Sequence, residues 1–180
     1  MNDNTVHTTR ARAEATAPNG EDIPILVDRE GDWFYGDRPI FRKEILETFY
    51  QCLRLLQDGR YVLEWQGRLY PIDVADTPFV ITRVDRVTNG SDKTSIRLTF
   101  KHLAETEILE PETLWVGPEN VLYCRVRQER FPARFSRPAY YQAAQWIEPL
   151  DDTRFALRLG QRLYPIAQPQ DLTGGGPNGS

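Results

Sequence analysis

Residues 134–141, Arg-Phe-Ser-Arg-Pro-Ala-Tyr-Tyr, are the part of the sequence best suited to holding an anion. Ser136 is a favourable N-cap, and the proline after Arg137 fits a first helical turn, so the segment predicts a helix N-terminus. Such an end has unpaired N–H groups and a partial positive charge, which favour a carboxylate or a phosphate. Two arginines and two tyrosines would surround the anion: Arg134, Arg137, Tyr140 and Tyr141.

The arginines have a second interpretation, because they could instead bind acidic side chains or carbonyls and fasten two parts of the fold together. A related pair, Arg38 and Arg42, stands at the start of an earlier amphipathic segment. There Asp37 is the predicted N-cap and Pro39 fits the first turn. The sequence leaves both interpretations open.

Asp73 and Asp76 are the candidates for proton transfer. They lie three residues apart, and two neighbouring carboxyl groups can act as general acid and base, as in a hydrolase. The alternative is that Asp76 caps the turn before Pro78. His7 and His102 have no Cys or His neighbour at metal-binding spacing, so we expect no metal, no cofactor and no catalytic set.

Composition excludes several classes of protein. The 180 residues carry a net charge of −4, whereas general nucleic-acid binders are usually basic, so we expect no nucleic-acid partner. No apolar run is long enough to span a membrane, and the first 22 residues lack the apolar segment of an export signal. The two cysteines, Cys52 and Cys124, are widely spaced. We therefore expect a cytoplasmic protein with both thiols reduced.

An internal repeat indicates the architecture. Residues 58–72 and 152–166 are identical at eight of fifteen positions without a gap. Each copy alternates apolar and polar residues around a turn, Gln66-Gly67 or Gly160-Gln161, which predicts a β-hairpin. The repeat therefore predicts a duplicated supersecondary unit.

Each hairpin follows an amphipathic helix. The first helix has its apolar face at Ile45, Leu46, Phe49, Tyr50, Leu53 and Leu56 and should end at Gly59; the second should run from Arg137 to about Ile147. We predict an α+β protein of two similar halves, each a helix packed on a curled, mostly antiparallel sheet. The predicted boundaries are a disordered arm at 1–22, halves at 23–78 and 79–167, the second with extra strands, and a disordered tail at 168–180.

Six short motifs in order resemble the bacterial domain-of-unknown-function family 1285 (DUF1285) over roughly residues 23–167; they lie at 31–35, 39–42, 58–61, 72–79, 98–100 and 133–141. The resemblance implies a duplicated helix-plus-sheet fold in two domains and a role in signal transduction or ligand sensing. It also implies six candidate site residues: Trp33, Arg42, Asp76, Arg134, Arg137 and Tyr140.

The sequence thus favours a non-catalytic binding module, a monomer or a homodimer, over an enzyme. A small anionic ligand or a partner protein would lie between the two halves, held by Arg134 and Arg137, by the hydroxyls of Tyr140 and Tyr141, and by Trp33 as an apolar wall. The alternatives are a hydrolase that uses Asp73 or Asp76 and an interaction module that uses its sheet edges.

Overall fold

The computed structural model describes residues 24–89 and 93–168. The predicted N-terminal arm and nearly all of the predicted tail lie outside these ranges. The first half contains seven elements: β1 (Ile25–Val27), β2 (Trp33–Tyr35), β3 (Arg38–Pro39), α1 (Lys43–Cys52), β4 (Leu53–Leu55), β5 (Tyr61–Trp65) and β6 (Arg68–Val74).

The second half begins with two long strands and ends with a second helix and hairpin. Its elements are β7 (Phe79–Asn89), β8 (Lys93–Phe100), β9 (Thr106–Ile108), β10 (Trp115–Val116), β11 (Leu122–Val126), β12 (Phe131–Phe135), α2 (Arg137–Ala144), β13 (Ile147–Pro149), β14 (Phe155–Leu159) and β15 (Arg162–Pro165). Short 3-10 turns at Pro111–Thr113 and Pro118–Asn120 flank β10.

The strands form three sheets. The first has the order β3-β2-β1-β6-β5-β4, the second β10-β11-β12-β7-β8-β9, and the third β13-β14-β15. All neighbouring strands are antiparallel except β1 with β6 and β12 with β7. The fold class is therefore α+β with two similar halves, as the repeat predicted.

The duplication extends from the helices through the hairpins. The helices begin 94 residues apart, at Lys43 and Arg137, and the return strands also begin 94 residues apart, at Arg68 and Arg162. The first half pairs β1 in parallel with the end of β6, and the second repeats this as a parallel bridge between Trp115 and Ala167. Each half thus contains the same helix, strand and hairpin, and a parallel strand pairs with the end of the hairpin.

The prediction for the first helix was wrong at both ends. The helix begins at Lys43 with Arg42 as its N-cap, because Asp37 lies in the tight turn between β2 and β3 and Pro39 lies in β3. It ends at Cys52, since Leu53 pairs with Leu63 in the sheet. The second helix also ends before its predicted limit, at Ala144. Its start is as predicted, with the Ser136 side chain accepting a hydrogen bond from Ala139 N–H.

One hydrophobic core spans both halves. Trp33, Leu46 and Leu53 from the first half pack in the same cluster as Phe79 and Leu157 from the second. Cys52 and Cys124 are free thiols, and burial raises the pKa of the Cys124 thiol, which stays protonated within the core. Within the described ranges, no helix is long and apolar enough to cross a membrane.

Candidate functional site

Arg134 fastens the two halves together. Its Nη1 lies 3.1 Å from Asp76 Oδ2, and the same nitrogen donates a hydrogen bond to the carbonyl of Arg29 at 2.9 Å. Both acceptors belong to the first half, whereas Arg134 lies on β12 of the second. The side chains of Arg134 and Asp76 are 20% and 22% exposed, so this is a partly buried ion pair. The sequence left open whether Arg134 binds an anion or joins two parts of the fold, and in the structure its contacts join the two halves.

The Asp76 carboxylate is engaged by Arg134 and Tyr123. Oδ2 binds Arg134, and Tyr123 Oη lies within hydrogen-bonding distance of both carboxylate oxygens, at 3.0 and 3.3 Å. Burial and the negative charge of Asp76 raise the pKa values of Tyr123 and of Tyr61, so both phenols stay neutral. Asp73 lies exposed on β6. Among the described residues, no hydrogen bond joins the two aspartates.

A second polar contact joins the halves at the β1–β2 turn. Asp32 Oδ1 lies 2.8 Å from Lys101 Nζ and 3.1 Å from His102 Nε2. Burial alone would raise the pKa of Asp32, but hydrogen bonds and charge from Lys101 and His102 outweigh it and hold that pKa below its usual value. Gly31 has φ +81°, and an added Cβ would lie 2.6 Å from Val80 Cγ2, so the turn requires glycine for this close approach.

The other predicted site residues are dispersed. Trp33 is 1% exposed, and its Nε1 donates to Tyr50 Oη at 3.1 Å, so its indole belongs to the core. Arg42 is exposed at the start of α1. Arg137, Tyr140 and Tyr141 are exposed on α2, where the two tyrosine rings pack edge to face. None of these five side chains reaches Arg134 through a described hydrogen bond or ion pair.

The structure does contain a cleft between the halves, but other residues line it. Its volume is about 620 Å³. The first half contributes α1 and β4, and the second contributes the loop after β8 and the turn between β11 and β12. The lining residues are Glu47, Tyr50, Gln51, Leu53, Arg54, Leu55, Phe79, Leu103, Ala104, Glu105, Arg127, Arg130 and Phe131. Aromatic and aliphatic walls with a few charged groups are typical of small-molecule sites.

A smaller cleft lies beside the first, along α1. The second cleft has a volume of about 330 Å³ and shares Leu103 and Ala104 with the first. Its other lining residues include Leu46 and Phe41, whose ring is 81% exposed. The two clefts therefore meet at Leu103 and Ala104, between α1 and the loop that follows β8, and are together called the groove below.

The turn between β11 and β12 is strained and contains two of the arginines that line the cleft, Arg127 and Arg130. Arg127, Gln128 and Glu129 are consecutive residues with φ of +55°, +60° and +63°. A left-handed conformation costs a non-glycine residue of order 1 kcal/mol or more, and strain of this kind concentrates at functional sites. Arg127 N–H donates to Glu107 Oε2 at 2.9 Å, and Arg130 Nε donates to the Arg127 carbonyl at 3.1 Å. These bonds hold the turn against the cleft.

Most charges around the cleft are paired. Arg54 lies 2.9 Å from Glu64, and Lys43 lies 3.6 Å from Glu47. Arg127 meets two carboxylates, Glu105 at 2.8 Å and Glu107 at 3.1 Å, and its guanidinium lies 5.7 Å from the centre of the Phe79 ring. Arg130 differs. Among the described residues its guanidinium has no carboxylate partner, and only its Nε makes a hydrogen bond.

Two solved structures share this architecture. A DUF1285 family protein from Silicibacter pomeroyi DSS-3 aligns over 84% of this chain and 83% of its own, with a TM-score of 0.66 and 24% identity. A DUF1285 family protein from Shewanella baltica OS155 aligns over 69% of this chain and 94% of its own, with a TM-score of 0.54 and 15% identity. The chain has the fold of these DUF1285 proteins. No protein-family model and no curated protein matches it.

The resemblance to DUF1285 that the sequence motifs predicted is therefore confirmed, and at these identities the likeness concerns the fold. The cleft arginines Arg54, Arg127 and Arg130 were absent from the predicted site. Arg54 and Arg127 carry no local signal, and Arg130 carries only a weak one, its Arg-x-x-x-Arg spacing to Arg134. The turn that contains Arg127 and Arg130 has neither Gly nor Asn at its left-handed positions.

Proposed function

We propose that this protein is a non-catalytic binding module that holds a small anionic ligand in the cleft between its halves. The observation that supports this most directly is the guanidinium of Arg130, which lies at the edge of a cleft of about 620 Å³ and has no carboxylate partner among the described residues. A guanidinium can bind a carboxylate or a phosphate through two parallel hydrogen bonds. Arg130 is exposed, so its two Nη atoms are accessible to such a ligand.

The position of the cleft, between the two halves, would also suit a sensor of ligand binding. Residues from both halves line it, so a bound ligand would contact α1 and β4 on one side and the Arg127–Arg130 turn on the other. A ligand that bridges two parts of a fold stabilises the arrangement it binds. This supports the proposed role in bacterial signal transduction. The bacterial and cytoplasmic setting of the proposal comes from the sequence and from the family resemblance.

The anion site of this proposal differs from the helix-end site that the sequence favoured. Arg134 is engaged by Asp76, and Arg137 with the two tyrosines stands away from the cleft lining. The proposal therefore assigns anion binding to Arg130. Arg134 joins the two halves on either side of the cleft through its ion pair with Asp76.

Thermal denaturation with a panel of carboxylate, phosphate and sulfate compounds tests the proposal. A ligand at 100 times its Kd adds about 2.7 kcal/mol, which raises the Tm of a chain of this length by roughly 5–10 °C. We expect at least one anion to raise the Tm of the wild type but not of Arg130→Gln. The matched control is Arg68→Gln, an exposed arginine at the tip of the β5–β6 hairpin. An anion that stabilises all three proteins equally would place the site elsewhere, and a panel without effect would contradict the proposal.

A protein-interaction role through strand addition is a second candidate, because the third sheet has an open edge. Within the described ranges, residues Arg162–Pro165 of β15 pair only with β14, and Leu163 is 40% exposed. Strand addition to this edge would give a homodimer or a complex with a partner protein. Light scattering of the wild type and of Leu163→Lys tests this candidate, since a dimer that the substitution dissociates would support it and a monomer in both would oppose the homodimer.

A further inference from the structure

The charges around the cleft restrict the kind of anion that it could hold. Four cations lie in or beside the cleft, and four carboxylates lie with them: Lys43, Arg54, Arg127 and Arg130, with Glu47, Glu64, Glu105 and Glu107. The surroundings are therefore neutral overall, with one excess negative charge at Arg127, which binds two carboxylates, and one positive charge at Arg130, which has no carboxylate partner among the described residues. Arg130 can pair with a single negative charge, and any further charge on the ligand would be uncompensated.

A phosphorylated ligand does not suit this arrangement. A phosphate monoester carries between one and two charges near neutral pH, and a nucleotide carries more. The additional charge would face Glu105 and Glu47 on the cleft wall, where like charges repel. Phosphate sites usually offer several donors, as in glycine-rich loops or at helix N-termini. Here α1 begins outside the larger cleft, at Lys43, and among the described residues of the cleft only Arg130 is a cation without a carboxylate partner.

The walls of the cleft indicate the rest of the ligand. Leu55, Leu103 and Ala104 offer partly or largely exposed apolar surface to the cleft, and the rings of Tyr50, Phe79 and Phe131 lie behind it with at most 8% of their surface exposed. The smaller cleft adjoins the first at Leu103 and Ala104 and is lined by the exposed ring of Phe41. A ligand with its charge at Arg130 could therefore extend a chain of carbon atoms away from the turn and over apolar side chains.

Resting on the proposed function, we propose that the ligand is a monocarboxylate with an extended apolar body, such as a medium-chain fatty acid or a similar amphiphilic acid. Its carboxylate binds the Nη atoms of Arg130. Its chain lies in the groove between α1 and the loop at Leu103 and Ala104. Each buried methylene contributes about 0.8 kcal/mol, so the affinity should increase about fourfold per methylene as the chain grows.

Equilibrium titration with hexanoate, octanoate and decanoate, below their critical micelle concentrations, tests the inference. Decanamide serves as the uncharged probe of equal length, and inorganic pyrophosphate serves as the polyanionic probe. We expect affinity to rise from hexanoate to decanoate and to fall about tenfold or more for decanamide. Arg130→Gln should weaken decanoate binding by a similar factor, while Arg68→Gln leaves it unchanged.

A second variant tests the groove without changing the charge of the site. Ala104 is exposed on the wall that the two clefts share, so Ala104→Trp should obstruct the chain and reduce decanoate binding with little effect on the fold. Binding that is insensitive to chain length, to Arg130→Gln or to Ala104→Trp would overturn the inference. Pyrophosphate binding that requires Arg130, without binding of carboxylates, would overturn the ligand class and leave the proposed function standing. If none of the probes binds, both fail.

Discussion

The guanidinium of Arg134 on β12 lies 3.1 Å from the carboxylate of Asp76, just after β6, and so joins the two halves of the protein. Tyr123 completes the contact from the neighbouring strand by donating to the same carboxylate. Since all three side chains are at least partly buried, removing one takes a partner from a charged group in a region of restricted water access. The cleft lies between the halves that this contact joins.

Asp76→Asn should therefore destabilise the protein. The variant keeps the shape of the side chain but leaves Arg134 without its counter-charge, which costs about 1–3 kcal/mol. For a chain of this length that corresponds to a decrease in Tm of several degrees. Thermal denaturation checks it, with the exposed Asp73→Asn as the matched control, expected to change stability by less than about 0.5 kcal/mol. Equal Tm values for the two variants would show that the ion pair does not fasten the halves.

Tyr50→Phe should destabilise the core for a different reason. Tyr50 Oη accepts a hydrogen bond from Trp33 Nε1 at 3.1 Å and donates one to the Pro78 carbonyl at 3.0 Å. The substitution leaves a buried donor and a buried acceptor unpaired, at a cost of about 1–3 kcal/mol. Chemical denaturation at neutral pH measures this cost. A loss below 0.5 kcal/mol, within the range of surface substitutions, would contradict it.

The same residue should make stability depend on pH in the alkaline range. Burial raises the pKa of Tyr50 to about 12 in the folded protein, whereas the unfolded chain releases this proton near pH 10. Between these values the unfolded state binds fewer protons, so stability falls as pH rises, by about 3 kcal/mol at most from this group. Tyr50→Phe should lack this component, and its difference from the wild type should shrink between pH 10 and pH 12. A constant difference would contradict the burial.

Gln128→Gly should stabilise the strained turn. Gln128 is exposed with φ +60°, which glycine adopts without the penalty that a side chain carries, although glycine loses more entropy on folding. The two effects leave a net gain of about 0.5–1 kcal/mol. Gln128→Ala, which keeps the left-handed strain, is the matched control and should show no gain in Tm. If glycine and alanine behave alike, residue 128 does not hold this conformation in solution.

The ion pair Arg54–Glu64 and its equivalent should tolerate exchange of their charges. Arg54 on β4 lies opposite β5, 2.9 Å from Glu64, and at the positions 94 residues later Glu148 meets Arg158 at 2.7 Å with the charges reversed. In Arg54→Glu or Glu64→Arg alone, like charges face each other, whereas the double variant restores an attractive pair. Because the pair is exposed, we expect a coupling energy of about 0.2–1 kcal/mol in a double-mutant cycle. Additive effects of the two substitutions would contradict the pairing.

Local patterns predicted the repeated unit well. The two hairpins, their turns at Gln66-Gly67 and Gly160-Gln161, and the cap at Ser136 all follow from short-range chemistry, and the structure contains each of them. The first helix shows where such patterns fail. Leu53 continues the helical spacing of Leu46 and Tyr50, but it pairs with Leu63 on another strand. Long-range pairing decided its conformation, and the local pattern could not indicate this.

The candidate site was less predictable than the fold. Arg134 was identified from its neighbours in sequence, and one of its two predicted interpretations, as a fastener, matches its contact with Asp76. Arg130 gave no comparable signal, since its importance comes from what surrounds it in space. Arg127 forms ion pairs with Glu105 and Glu107, whereas Arg130, beside the cleft, has no carboxylate partner among the described residues. Only the folded arrangement distinguishes these two arginines.

Native mass spectrometry of the protein purified from its own host tests the central claim most directly. The wild type should carry a small adduct, and a folded Arg130→Gln variant prepared in the same way should lack it. Arg137→Ala, at the exposed start of α2, should keep the adduct, because that arginine stands outside the cleft lining. No adduct on the wild type, or an adduct that Arg137→Ala loses and Arg130→Gln retains, would contradict a ligand site at Arg130.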